Sequence, residues 1–236
     1  MRHIVLAALA LLPSPVMAQA GACLAPARLP TIRPDLPSAS QPRRVVPIAN
    51  YTLAISWAPE YCRSHDRDWG SFQCDARGGT RFGFVLHGLW PDGAGKDQWP
   101  QYCAATDILP DRVVRGMMCT TPSAQLIQHE WAKHATCMPN ETPESYFGRS
   151  KTMFDRLRFP DMDRLSRRRL TVAQFRQAFA AANRVRANTM VVTTKRGGWL
   201  DEIWMCHDMA FRPMRCPADK GGAPLSGPLR IWRGGR

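Results

Sequence analysis

The chain has 236 residues, of which 44% are apolar and 22% charged, a composition ordinary for a soluble globular protein. This length allows one domain with a substantial core and demands no second one. The net charge of +13, from 32 Lys and Arg against 19 Asp and Glu, favours polyanionic partners such as nucleic acid, acidic glycans or anionic membranes, although a soluble basic protein without such a partner fits the charge equally well.

The first twenty residues have the pattern of a secretory signal peptide. A short basic start, Met1–His3, precedes an apolar run over 4–12, and small residues lie near Ala18 where a signal peptidase would cut. This run is too short to span a membrane, and no later stretch approaches the length required. We expect residues 1–20 to be removed after Ala18 or Ala20, leaving a periplasmic or secreted protein with no membrane contact.

The segment that follows is predicted to be an extended arm and then two strands. Residues 21–48 are rich in proline and lack helical or strand periodicity, so they are expected to lie as an arm on the domain. Alternation with period two predicts a strand over Tyr51–Trp57. A second strand is predicted over 81–86. It leads into the string HGLWPD at His87–Asp92, whose Gly and Pro are expected to end it.

Three helices are predicted in the second half of the chain. The first spans 123–133, after the start signal of a proline, and the second spans 143–157. A third begins at Thr171, because Thr171 and Gln174 can form a capping box and apolar residues then recur at helical spacing.

Strand character returns after these helices, over 190–194 and 200–206. The order of strands, then helices, then strands predicts an α+β fold with a mixed or antiparallel sheet. Residues 220–236 are Gly-rich and basic, and they are predicted to form a C-terminal tail that is mobile at its end.

Eight cysteines lie beyond the signal peptide, an even number that predicts four disulfides in an oxidising compartment. Two pairs are local in sequence, Cys62 with Cys74 and Cys206 with Cys216. No Cys-x-x-Cys pair occurs, which argues against zinc-ribbon and thioredoxin-like motifs.

The string HEWAKH at His129–His134 is the segment richest in ionisable groups. On a helix, His129 and Lys133 are four residues apart, as are Glu130 and His134, so all four project over about half of the circumference. Such a face is costly in a core and suits a phosphate site. There, a lysine and one imidazole balance charge while the other imidazole moves a proton.

A zinc site is the main alternative for this string, since His-Glu also begins a zinc-protease motif. That motif needs two histidines four apart on one helical face. His129 and His134 are five apart, about 140° around a regular helix, and we therefore expect no metal site.

The string HGLWPD is informative about function only together with the string HEWAKHATC further along the chain. Alone, His87 would more often be structural, and Trp90 would more often be a core residue than a platform for a nucleobase. HGLWPD followed by HEWAKHATC, however, resembles the two active-site segments of the ribonuclease T2 family. The resemblance extends over residues 51–216 and departs from the family at Ala135, where the family usually has glycine.

This resemblance implies a fold and an activity. The fold is a central, mainly antiparallel sheet flanked by helices and stabilised by disulfides, over residues 49–219. The activity is that of an endoribonuclease that cuts single-stranded RNA through a 2′,3′-cyclic phosphate, with two histidines and with neither metal nor other cofactor. We expect a monomer whose partner is RNA.

The resemblance also assigns roles and disulfides. It implies that His134 is the general base, His87 the general acid and His129 a phosphate ligand. It also implies that Glu130 and Lys133 position and stabilise the phosphorane. Trp90 and Asp92 are implied to bind a nucleobase. The family supplies the pair Cys103–Cys137, and elimination leaves Cys23–Cys119, which would staple the arm to the domain.

Two other functions stay open at this point. The first is a secreted RNA- or polyanion-binding protein on the same fold that has lost catalysis, and the intact ionisable residues of both strings argue against it. The second is a metal hydrolase, which the histidine spacing disfavours.

Overall fold

A computed structural model describes residues 23–65, 71–75, 81–95 and 98–234. The predicted signal peptide, residues 1–20, lies outside these ranges. Within them, none of the helices combines the length and the apolar character that crossing a membrane requires.

An antiparallel sheet of four strands lies at the centre of the fold, in the order β2-β1-β5-β4. A two-stranded sheet pairs β3 with β6. The strands are β1 (Asn50–Trp57), β2 (Phe84–Asp92), β3 (Leu170–Thr171), β4 (Met190–Lys195), β5 (Trp199–His207) and β6 (Pro228–Leu229). The helices are α1 (Ala58–Ser64), α2 (Asp111–Met117), α3 (Ala124–His129), α4 (Pro143–Asp155), α5 (Met162–Ser166) and α6 (Val172–Asn183). The predicted α+β fold is confirmed.

One face of the large sheet packs on helices and the other carries polar groups. Leu53 and Ile55 of β1 point into the core, where α4 contacts β1 and β2 and α6 contacts β4. The alternate residues Thr52 and Ser56 point the other way and hydrogen-bond to carboxylates. This is the period-two pattern that the sequence of β1 predicted, and it leaves one sheet face free to carry a site.

Strand β2 was predicted to end at residue 86. It continues instead through the whole HGLWPD string to Asp92. Its pairing with β1 shifts where Ala54 pairs with Gly88 and Ile55 with Leu86, so His87 is the extra residue of a β-bulge. Pro91 is tolerated because β2 is an edge strand, where a missing backbone N–H breaks no bond to a further strand.

The helix predicted over 123–133 forms, but its winding changes in the middle. Ser123 caps α3 by accepting a hydrogen bond from the Leu126 N–H. Residues Glu130–His134 are a π-helix, in which the Ala135 N–H bonds to the Glu130 carbonyl five residues back, and a 3-10 turn over Ala135–Cys137 follows. Such π segments are rare and occur frequently at functional sites.

The disulfides tie the arm and the loops to the sheet. Four pairs are present, Cys23–Cys119, Cys62–Cys74, Cys103–Cys137 and Cys206–Cys216, and they are the pairs that the sequence predicted. The first of them closes a loop with a sequence separation of 96 and holds the start of the Pro-rich arm. Further along the arm, Arg44 forms a backbone bridge with Gln101.

The described part of residues 220–236 packs on the domain, and the predicted mobility at the end of this tail stays a prediction. Leu229 and Ile231 are 2% and 6% exposed, and the Leu200 N–H bonds to the Arg230 carbonyl. Two isolated apolar residues among Gly and Arg show no periodicity, which is why no strand was predicted here.

Candidate active site

The bulge in β2 turns His87 out of the regular strand alternation and toward β5. Its Nδ1 lies 2.6 Å from Oε1 of Glu202 on β5. Glu202 also accepts hydrogen bonds from the Ser56 hydroxyl at 2.5 Å and from the Trp204 indole N–H at 2.8 Å. A carboxylate held by three donors fixes the imidazole, so that Nε2 is the ring nitrogen left for chemistry.

The π segment brings together residues that a regular helix would separate. One possible ligand atom of each of His129, Glu130 and His134 lies within 4.8 Å of the others, and the two imidazole centroids are 6.1 Å apart. The expected separation of about 140° assumed a regular helix, and the wider turn of the π-helix removes it. The spacing argument against a metal therefore does not apply to this segment.

Trp90 and Glu130 join the two strings of the sequence. The Trp90 indole N–H donates to Glu130 Oε2 at 2.9 Å, and its ring stacks on His134 with centroids 5.5 Å apart. A side chain at Gly88 would put its Cβ 1.7 Å from Glu130 Oε2, so the motif needs glycine for this close approach. Glu130 itself is 1% exposed, and its Oε1 lies 3.4 Å from His87 Nε2.

The carboxylates around His87 keep its imidazole charged. Burial alone would lower the pKa of His87, but the hydrogen bond to Glu202 and the negative charges of Glu130 and Glu202 more than offset burial and raise that pKa to about 9. Burial would raise the pKa of Glu202, yet its bonds to His87, Ser56 and Trp204 lower that pKa to about 2. At neutral pH this pair is an imidazolium and a carboxylate.

His134 has the opposite environment. Burial, together with the nearby positive charges of Lys133, His129 and His87, lowers its pKa well below the ordinary value of 6.5. Its Nδ1 is buried and has no hydrogen-bond partner among the described residues, and neither does Glu130 Oε1. Burial raises the pKa of Glu130 to about 7, against the opposing effects of His87, Trp90 and Lys133. A neutral imidazole thus lies beside a charged one.

The Pro-rich arm takes part in the site through Asp35. Its Oδ2 lies 2.8 Å from His129 Nδ1 and accepts a hydrogen bond from the Tyr102 hydroxyl at 3.1 Å. Burial lowers the pKa of His129, although Asp35 opposes this shift. Burial also lowers the pKa of Lys133.

A cavity of about 820 Å³ opens over these groups. Six of the seven residues singled out as catalytic or substrate-binding line it, namely His87, Trp90, Asp92, His129, Lys133 and His134. Glu130 is behind them. At one end of the cavity, Asp92 Oδ2 accepts from the Thr52 hydroxyl at 2.6 Å and from the Lys220 ammonium at 2.7 Å.

Sequence reasoning missed four residues of this site. Glu202 carried one weak signal, because Asp201 and Glu202 interrupt an otherwise mainly apolar strand, and Trp204 in that strand had none. Asp35 had no signal within a Pro-rich arm, and Lys220 had none within a basic tail. Glu202, Asp35 and Lys220 meet His87, His129 and Asp92 only through contacts between segments distant in sequence.

The arrangement is suited to transferring two protons across one reacting centre. A charged imidazole can release a proton, a neutral imidazole can accept one, and Lys133 with His129 can face an anion between them.

Comparisons with known proteins show the family and the fold. The model of the Ribonuclease T2 family matches residues 49–216. A probable ribonuclease from Haemophilus influenzae is 27% identical over 185 residues, 72% of this chain and 61% of that protein. A ribonuclease from Aeromonas hydrophila is 38% identical over 91 residues, 37% of this chain and 36% of that protein. The match thus spans less than two thirds of either relative. The solved structure of an RNase-related protein from Calystegia sepium has a TM-score of 0.60 and 20% identity, covering 78% of this chain and 97% of that one, and shows the same fold.

Proposed function

Because the chain belongs to the ribonuclease T2 family, we propose that it is an endoribonuclease that cleaves single-stranded RNA through a 2′,3′-cyclic phosphate, with two histidines and no metal. The observation that carries the proposal is that His87 and His134 line one cavity, with the carboxylates of Glu130 and Glu202 beside His87 and with His134 buried near Lys133. The proposed location is the periplasm or the extracellular space, and the proposed state is a monomer.

In this proposal the two histidines act as base and acid in one in-line step. Neutral His134 takes the proton of the ribose 2′-hydroxyl, and the 2′-oxygen forms a bond to phosphorus. The bond from phosphorus to the 5′-oxygen breaks, and charged His87 gives its proton to that oxygen. The products are a 2′,3′-cyclic phosphate and a free 5′-hydroxyl, with both histidines left in reversed protonation states.

The ammonium of Lys133, and the imidazole of His129 when it is protonated, support the anionic part of the reaction. Lys133 and His129 are proposed to bind the phosphate oxygens as charge develops on them. Glu130 is buried and hydrogen-bonded to Trp90, so we propose that it positions His87 and Trp90 instead of touching the phosphorane.

The nucleobase is proposed to bind near Trp90 and Asp92, which line the cavity. In the absence of RNA, Trp90 stacks on His134 and Asp92 is paired with Lys220, so both residues proposed to bind the nucleobase are already held by a neighbouring side chain. Lys220 therefore joins the proposed base site.

The proposed function is tested by incubating the purified protein with single-stranded RNA in excess chelator. We expect cleavage at the same rate with and without the chelator, and products that end in a 2′,3′-cyclic phosphate. Cleavage that requires an added divalent ion would favour a metal hydrolase, for which His129, Glu130 and His134 are the candidate ligands. Binding without cleavage under both conditions would favour an inactive polyanion-binding protein.

Replacing Glu202 by glutamine is expected to shift the alkaline limb of the pH–rate profile. The glutamine oxygen can still accept from His87 Nδ1, but the negative charge that raises the pKa of His87 is lost. The limb should then move from about pH 9 toward the ordinary value of 6.5. Glu202→Ala also removes the hydrogen bond, and we expect on the order of 10²-fold slower turnover, the cost of misplacing a reacting group by about 1 Å.

A matched control for this experiment is Glu144→Gln, which removes one negative charge from an exposed residue that pairs with Arg112. It should leave the pH profile in place. If Glu202→Gln also leaves the alkaline limb where it was, Glu202 does not set the protonation of His87.

A further inference from the structure

A second cavity, of about 700 Å³, lies where the C-terminal segment crosses the start of β5. We call it the arginine–tryptophan groove, after its lining residues Arg168, Arg169, Trp199, Arg230, Trp232 and Arg233. Of the described residues, none lines both this groove and the active-site cavity. The proposed reaction uses none of these side chains.

Two guanidinium groups lie against the indole rings of the groove, that of Arg230, which lines it, and that of Arg63, which does not. The Arg63 and Arg230 guanidiniums lie 4.1 and 4.4 Å from the Trp199 ring centroid. Arg63 also lies 5.2 Å from the Trp232 ring, which stands nearly perpendicular to Trp199. An arginine stacked on an aromatic face keeps its N–H edge available, and stacking orders the side chain before an anion arrives.

The groove holds more positive charge than its carboxylates neutralise. Arg63 pairs with Glu60, and Arg233 pairs with Asp163. The three other arginines are exposed and form no ion pair in the described part of the chain, namely Arg168, Arg169 and Arg230. Three like charges around one concave surface repel one another, and an anion between them would relieve that repulsion.

The groove is a near neighbour of the active site on the same sheet. Trp199 precedes Glu202 by three residues on β5, which is about 10 Å along a strand. The Trp57 indole N–H bonds to the Trp232 carbonyl at 2.5 Å, and the adjacent Ser56 bonds to Glu202. A polymer in the active site could therefore reach the groove.

From these observations we propose that the arginine–tryptophan groove binds the phosphate backbone of an RNA strand at nucleotides away from the cleaved bond. The choice of RNA as the polyanion rests on the proposed function. Arginine edges match phosphate oxygens in pairs, and contacts to the backbone carry no base preference. The groove thus favours long substrates over short ones, whatever their sequence.

The test uses the triple variant Arg168→Gln/Arg169→Gln/Arg230→Gln and measures binding of 2′-O-methyl RNA, which lacks the free 2′-hydroxyl. Two lengths are compared, of about 16 and about 4 nucleotides, and salt is raised from about 50 to about 200 mM. A matched control, Arg156→Gln/Arg158→Gln/Arg186→Gln, removes the same charge at exposed arginines that do not line the groove.

For the long strand, the slope of the logarithm of the binding constant against the logarithm of salt concentration should be steeper by about 2 for the wild type than for the triple variant. Each phosphate contact to a single strand contributes about 0.7 to this slope, and the variant lacks three arginines. Over that fourfold rise in salt, the Kd of the wild type should increase roughly 20-fold more than that of the variant. The control should behave as the wild type, and all three proteins should bind the short strand alike.

Two results would overturn the proposal. One is a triple variant that binds the long strand as the control does. The other is a variant that keeps RNA binding but no longer binds vesicles of anionic phospholipid, which would assign the groove to a membrane surface. Because the probe cannot be cleaved, these outcomes do not depend on catalysis, and failure of the proposed function would be seen separately as absence of RNA cleavage by the wild type.

Discussion

Replacing either His87 or His134 by alanine is expected to lower the rate of RNA cleavage by roughly 10²–10⁴-fold or more, as the loss of a general acid or base does. The two residues line one cavity but differ in protonation, because carboxylates surround His87 and positive groups surround His134. Neither variant should unfold the protein, which far-UV circular dichroism and thermal melting would check. His65→Ala is the control, since His65 is exposed and does not line the cavity.

The double variant separates a shared step from two independent effects. If His87 and His134 act in one step, the double replacement should be only slightly worse than the more damaging single one. The wild-type rate should follow a bell in pH. Its alkaline limb should lie near pH 9, where His87 loses its proton, and its acid limb below 6.5, where His134 gains one. A His87→Ala protein that cuts RNA at close to the parent rate would refute the assignment of His87 as acid.

A single 2′-deoxy sugar at the cleaved position is expected to abolish cleavage of that linkage. The proposed nucleophile is the substrate's own 2′-hydroxyl, so its removal leaves nothing for His134 to activate. The measurement is gel mapping of an otherwise all-RNA oligonucleotide, and the neighbouring linkages serve as the internal control because they should still be cut. Cleavage of the deoxy linkage at an undiminished rate would mean that water attacks, and the mechanism would be wrong.

Several elements could be predicted because their signal is local. Period-two alternation predicted β1, and the Thr171–Gln174 capping box predicted the start of α6. Two of the four disulfides were local in sequence. The two strings that contain His87 and His134 could be singled out because each concentrates chemically unusual residues within six positions.

Other features could not be predicted because they depend on how strands pair in the sheet and on how a helix is wound. Residues 87–92 were expected to leave the sheet, since Gly and Pro usually end strands, and only the edge position of β2 lets Pro91 stay. The bulge at His87 depends on register with β1, which the sequence of β2 does not contain. The π-helix reduces the separation between His129 and His134, whereas sequence spacing assumes a regular helix.

The sequence by itself determined which functional groups are available, two short strings with three histidines, a lysine and a glutamate, and their resemblance determined the family. The tertiary structure decided the protonation state of those groups. Glu202 lies 115 positions after His87 and Asp35 lies 94 before His129, yet each is in hydrogen-bond contact with its histidine. A pKa depends on burial and on charges within a few ångströms, and those neighbours are chosen by strand pairing and by the path of the arm. The protonation of His87 and His134, on which the proposed chemistry depends, is therefore a property of the fold.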